Sequence, residues 1–276
     1  MRRKILLAVW IAACCCCNVC SAQTYEDCVE RGLAYAKTDS LQQAEEWFRQ
    51  ALRLKPDDFR NALIYANMAK IEVAQGQTER ALSSYDRALA IVPKNVPILQ
   101  SRADLYLSLG NLGKALIDYR NIIDVDPNNV NALQAMGYIF TQQREYTKAK
   151  THYERLLSIE PDNYTALFGV AILFQECGKP SEAISQLTRL IEKYPDRAEI
   201  YSVRAEIEAE AKQTELALMD LDKAINLEPN NKNMILTRAY LHLKEGKKHL
   251  AKLDFERAIA LGVPRAQLKN ELKQVK

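Results

Sequence analysis

Histidine is scarce in this chain of 276 residues: His152, His242 and His249 are all there is, and they stand apart. No Gly-rich phosphate loop, Gly-x-Ser-x-Gly elbow or His-Glu-x-x-His pair occurs, and no group of His, Cys and carboxylate has metal-ligand spacing. These absences predict a protein that is not an enzyme and that holds neither metal nor cofactor. Glycine and proline, nine of each, are too few for a β-rich fold with many tight turns. A surplus of charge is missing as well. The 38 Lys and Arg exceed the 35 Asp and Glu by three, and Arg2, Arg3 and Lys4 account for the difference. A general nucleic-acid binder needs excess positive charge to neutralise phosphates, so no nucleic acid is expected as a partner. The apolar stretch from Ile5 to about Cys17 falls short of the roughly 20 residues that a membrane-spanning helix needs. What is present, 48% hydrophobic and 26% charged residues, is the composition of a folded chain rather than a disordered one.

Residues 1–22 read as an export signal. Arg2-Arg3-Lys4 is a charged head, the apolar stretch follows, and Cys20-Ser21-Ala22 offers small residues where a signal peptidase cuts, before Gln23. In the same segment Ile11-Ala12-Ala13-Cys14 resembles a bacterial lipobox, in which the cysteine is acylated and tethers the chain to a membrane surface. Cleavage after Ala22 and lipidation at Cys14 both stay open, and a membrane is a partner only through the second. Five of the seven cysteines lie in this segment. The other two, Cys28 and Cys177, are too distant in sequence to make a disulfide framework and read as a core thiol and a helix-end thiol.

The rest of the chain repeats. Pro56, Pro93, Pro127, Pro161, Pro195 and Pro229 are spaced 37, 34, 34, 34 and 34 residues apart. Each closes one phrase: Ala, three residues, an aromatic or Leu, two residues, an aliphatic, four residues, Pro. Ala81/Tyr85/Ala88/Pro93 and Ala149/Tyr153/Leu156/Pro161 are instances, and Ala251/Phe255/Ala258 is a seventh whose proline, Pro264, comes one residue late. Counted in seven units (25–58, 62–95, 96–129, 130–163, 164–197, 198–231 and 232–265), the eighth slot is always Gly or Ala. The fifteenth is Gly in four units, Gly76, Gly110, Gly178 and Gly246. Apolar spacing of three and four that ends at Gly describes an amphipathic helix with a left-handed cap. A second helix follows and stops before Pro. Small residues at slots eight and twenty let the two helices approach, and the residue at slot twenty-four fills the gap to the next pair. A single helical hairpin cannot bury its apolar face, so the units must stack.

This pattern resembles the tetratricopeptide repeat family over about residues 25–265. The resemblance implies an all-α fold: a right-handed superhelical solenoid of seven helix-turn-helix units with a concave groove. Three extra residues near Phe59 to Asn61 separate the first two units. Residues 266–276, with Ala266, Leu268 and Leu272 among polar neighbours, read as a short capping helix.

Comparing the units with one another brings out a charged pair. The seventh slot is Arg in four units, Arg31, Arg102, Arg204 and Arg238, and the twenty-third is Asp in three of them. Arg102–Asp118, Arg204–Asp220 and Arg238–Asp254 are therefore expected to be structural ion pairs between the two helices of one unit, coincidence being the alternative. Arg31 faces Trp47, where a cation–π contact is expected.

The resemblance also implies a binding face. In the family the first helix of each unit lines the groove. Carried over slot by slot, that face comprises Lys70, Gln100, Asp104, Asn131, Gln134, Tyr138, Thr141, Gln142, Phe168, Gln175, Ser202, Glu206, Glu210, Asn233 and Tyr240. Tyr138, Phe168 and Tyr240 place rings where they either anchor a bound peptide or helix or stiffen the groove wall. Glu199, Glu206 and Glu210 make the sixth unit acidic. One subclass of the family grips a C-terminal carboxylate, but Val29 and Leu33 replace its Lys and first Asn here and only Asn67 fits, so that activity is not expected. The expected function is a non-enzymatic scaffold for a protein or peptide partner, exported to the periplasm or cell envelope of a bacterium. The alternative is an outer-membrane lipoprotein assisting assembly of a surface or pilus-type complex.

Overall fold

The computed structural model describes residues 23–275; residues 1–22, where an export signal and a lipidation site at Cys14 are expected, lie outside the described residues. Among these residues there are fifteen α-helices and no strand. The described residues divide into two compact units, one ending at Ser108 and the other beginning at Leu109. The first contains α1 (Tyr25–Lys37), α2 (Leu41–Leu54), α3 (Asn61–Ala74), α4 (Thr78–Ile91) and α5 (Val96–Ser108). The second contains α6 (Leu112–Val125), α7 (Val130–Gln142), α8 (Tyr146–Ile159), α9 (Tyr164–Glu176), α10 (Pro180–Lys193), α11 (Ala198–Glu210), α12 (Thr214–Leu227), α13 (Lys232–Lys244), α14 (Lys248–Ala260) and α15 (Lys269–Gln274). In each compact unit every helix packs against the next one along the chain, which is solenoid stacking.

Local chemistry sets the helix ends. Asn129 and Asn163 each accept, through Oδ1, the N–H of the residue three places on, Ala132 and Ala166, at 3.0 Å. Such a cap is worth about 1 kcal/mol. Gly76, Gly110, Gly178 and Gly246 follow the first helices with φ between 68° and 72°, the left-handed turn that favours glycine. The same turn is made in three other places without glycine: Asp39, Arg144 and Lys212 have φ of 57°, 59° and 61°. Each occupies the fifteenth slot, so the turn geometry is repeated even where the residue that suits it is missing.

The core is built from the recurrent slots. Ala44, Ala81, Ala149, Ala183, Ala217 and Ala251 have no exposed surface, and Phe48, Leu187, Leu221 and Phe255 are equally buried. Burying each of the large side chains contributes about 1.5–3 kcal/mol. Asn61, fully buried at the end of the three-residue insertion, holds that insertion to the first helix pair. It accepts from the Tyr25 hydroxyl at 3.0 Å and donates to the carbonyls of Lys55 and Pro56 at 2.6 and 2.9 Å. At the other end the capping element is shorter than 266–276. Only Lys269–Gln274 is helical, with Leu268 and Val275 buried beside it in the core shared by α11 to α14.

Candidate protein-binding surfaces

Arg204 and Asp220 meet as a two-pronged pair between α11 and α12: Nε to Oδ2 is 2.6 Å and Nη2 to Oδ1 is 2.8 Å. Arg238 and Asp254 repeat this between α13 and α14, at 2.9 and 2.7 Å. Both carboxylates are buried and both guanidiniums largely so, and the paired carboxylate holds each Arg above its ordinary pKa. Arg102 belongs to the first compact unit and Asp118, buried, to the second. Each of these arginines has a partner sixteen residues upstream that the sequence reading missed. Arg102 pairs with Asp86 at 2.5 Å, Arg238 with Asp222 at 2.6 Å, and Arg204 donates to the Thr188 hydroxyl at 2.9 Å. The equal spacing to either side of the arginine was the available signal. The guanidinium therefore ties its own unit to the preceding one. Arg31 lies 4.8 Å over the Trp47 ring and also pairs with Asp27 at 3.0 Å.

Beside this network Glu208 is buried, with Oε2 lacking a hydrogen-bond partner and Oε1 3.9 Å from Arg204 Nε. Burial, reinforced by Asp220 and only partly offset by Arg204, pushes its pKa up to about 7. His152 stacks on Phe140 at 5.3 Å, and burial lowers the pKa of both His152 and His242. Cys28 is buried, its thiol pushed up by burial, and Cys177 is exposed at the end of α9.

The odd-numbered helices carry the expected binding residues. In the first compact unit Lys70 on α3 and Asp104 on α5 line one cleft of about 370 Å³, and Gln100 donates to Asp104 at 2.7 Å. In the second, Asn131, Gln134, Tyr138 and Thr141 lie on α7, Phe168 and Gln175 on α9, Glu206 and Glu210 on α11, and Tyr240 on α13. Tyr138 is 47% exposed and Tyr240 is 43% exposed, the latter resting edge-on against Phe255 at 5.4 Å. Phe168 is half-buried: it stacks on Tyr164 at 5.7 Å and packs on the core of α9, α10 and α11. Thr141 donates back to the Gly137 carbonyl at 2.9 Å. Partial burial and then Glu210 raise the Glu206 pKa. Glu199 is engaged already, accepting from the Tyr164 hydroxyl at 2.9 Å.

A family model described as tetratricopeptide repeat matches residues 72–137 and 140–207, and a second of the same description matches residues 21–94. The chain is a tetratricopeptide repeat (TPR) protein. Among solved structures, a TPR protein from Parabacteroides merdae is 29% identical, with TM-score 0.75, over 92% of this chain and 99% of that one. YrrB, described as a TPR protein with an unusual peptide-binding site, is 22% identical over 72% of this chain and 97% of its own, with TM-score 0.55. MamA from Desulfovibrio magneticus is 17% identical over 60% and 94%, with TM-score 0.53. The last two likenesses concern the fold alone. No curated protein matches the chain. TPR arrays are in general protein-interaction scaffolds and typically not enzymes. No helix among the described residues of this TPR protein is long and apolar enough to cross a membrane.

Proposed function

We propose that this TPR protein is a non-enzymatic scaffold that binds a peptide or helix of a partner protein along its odd-numbered helices, in the envelope of a bacterial cell. The observation that carries this reading is the exposure of the Tyr138 and Tyr240 rings on α7 and α13, where the core does not absorb them. Rings held on a rigid helical face are the usual anchors of a bound segment. The amides of Asn131 and Gln134 suit a peptide backbone, and Glu206 and Glu210 favour a basic segment. A peptide-binding site on YrrB, a protein of similar fold, makes the mode reasonable. The envelope setting rests on residues 1–22. Affinity capture with the wild type and with a Tyr138, Phe168 and Tyr240 triple alanine variant tests the reading. Loss of recovered partners from the variant is expected; identical recovery overturns the assignment of this face.

Ile11-Ala12-Ala13-Cys14 favours a second reading, an outer-membrane lipoprotein that assists assembly of a surface or pilus-type complex. An intact mass of the mature protein decides between the two. A chain beginning at Gln23 supports simple export, and a diacylated chain beginning at Cys14 supports the anchor.

A further inference from the structure

The cleft between α2 and α4, floored by α3, departs from the places where an arginine fills slot seven. Slot seven, Arg in Arg102, Arg204 and Arg238, is here Met68, buried. Slot twenty-three, Asp in their units, is here Ser84. The place of Asp86 and Asp222 in the preceding unit is taken, once the three extra residues are allowed for, by Arg49. The arginine and the aspartates of these slots are gone, and the slot of Asp86 and Asp222 has become cationic. An open cleft of about 540 Å³ remains.

Four arginines line it: Arg49 and Arg53 from α2, Arg80 and Arg87 from α4. Two are committed. Arg49 pairs with Glu45 at 2.6 Å, and Arg80 pairs with Glu45 at 2.7 Å and Glu72 at 3.3 Å. Glu72 is buried and accepts from Ser84 at 2.7 Å, so the acidic groups of the cleft are already satisfied. Arg53 and Arg87 are exposed and form no ion pair among the described residues; Arg87 lies 5.8 Å over the Tyr65 ring. Two free guanidiniums thus flank an apolar floor of Met68 and Leu52. Arg guanidiniums match carboxylates with two parallel hydrogen bonds. The volume is many times that of a single ion and lies in the range of pockets that take several side chains.

We infer that this cleft is a second docking site, on the α2–α4 side of the array, for an acidic segment of a partner protein whose carboxylates meet Arg53 and Arg87. It is separate from the face made by the odd-numbered helices and opposite in charge preference to the Glu206 and Glu210 region.

The test is fluorescence anisotropy with the full chain and a short labelled peptide rich in Glu and Asp, beside its Gln and Asn counterpart. R53E/R87E reverses the two free charges. R120E/R189E, on exposed positions of α6 and α10, makes the same change of net charge elsewhere and controls for bulk attraction. Binding of the acidic peptide alone is expected, weakened about tenfold or more by R53E/R87E, and little changed by R120E/R189E or by Y138A/Y240A. Failure of the acidic peptide to bind overturns the inference, as does equal weakening by both charge reversals. Displacement of the peptide by millimolar inorganic phosphate also overturns it, since the site then takes small anions. Circular dichroism of R53E/R87E matching the wild type keeps a loss of binding from being a loss of fold.

Discussion

A β-carbon on Gly137 would lie 2.5 Å from Cε1 of Tyr153, so the ring of Tyr153 occupies the space that this glycine leaves. Gly169, on the next odd-numbered helix, gives the ring its other wall, with a would-be β-carbon 2.4 Å from Cζ. One aromatic on α8 is thereby clamped between α7 and α9. Gly137→Ala forces the buried ring to move and is expected to destabilise the protein by about 1–3 kcal/mol in urea unfolding. Adding Tyr153→Leu, the pairing that Ala171 and Leu187 already use one unit later, is expected to cost less than the two changes summed.

Arg204→Ala leaves Asp220 buried without its cation and takes a donor from Thr188. Removing one partner of a buried pair is costly; with part of the guanidinium reaching solvent, the expected loss is about 2–4 kcal/mol. Arg204→Met combined with Asp220→Leu is expected to recover part of it, because Asp220 is then not left stranded and Glu208 loses the repulsion of Asp220 together with the nearby cation. Thermal unfolding of the two variants and the wild type measures both.

Glu208 predicts a pH dependence. Its pKa rises to about 7 in the folded protein from an ordinary 4.5. The folded state holds this proton more tightly than the unfolded chain does. The group's contribution to stability is therefore most favourable below about pH 4.5, falls as pH rises, and is lost once pH passes about 7. Glu208→Gln removes that decline. Relative to wild type it is expected to gain on the order of 2–3 kcal/mol between pH 5 and pH 8, read from unfolding curves at the two values.

Lys212 makes the left-handed turn after α11 that Gly178 and Gly246 make after α9 and α13. The strain of a β-carbon there exceeds the added entropy of glycine in the unfolded chain. Lys212→Gly is expected to raise stability by about 0.5–1 kcal/mol. The same substitution at an α-helical surface position, such as Lys223, is expected to lower it by a similar amount.

The fold class was legible because stacking forces each unit to spend the same slots on the same job: Ala183 and Ala217 must be small, Leu187 and Leu221 must fill. Contacts between units were less so. Asp86 and Asp222 as partners of Arg102 and Arg238 depend on the register of adjacent helix pairs, which a pattern within one unit does not contain. Phe168 reads as a groove ring by its slot, yet Tyr164, one helical turn earlier, stacks against it. Glu199 reads as part of an acidic sixth unit, yet Tyr164 donates to it. The α2–α4 cleft is visible only as three separate substitutions, Met68, Ser84 and Arg49, until the helices bring them together. The left-handed turns at Asp39, Arg144 and Lys212 were hidden because the residue that announces such a turn is absent.

The central claim, that a partner is held along the odd-numbered helices, is tested most directly by site-specific photo-crosslinking. Benzoylphenylalanine is placed at Tyr138 on α7 and, for contrast, at exposed Glu154 on α8. The account predicts that one partner protein is crosslinked from position 138, with no corresponding product from position 154. Crosslinking of that partner from position 154 with none from position 138 would contradict it.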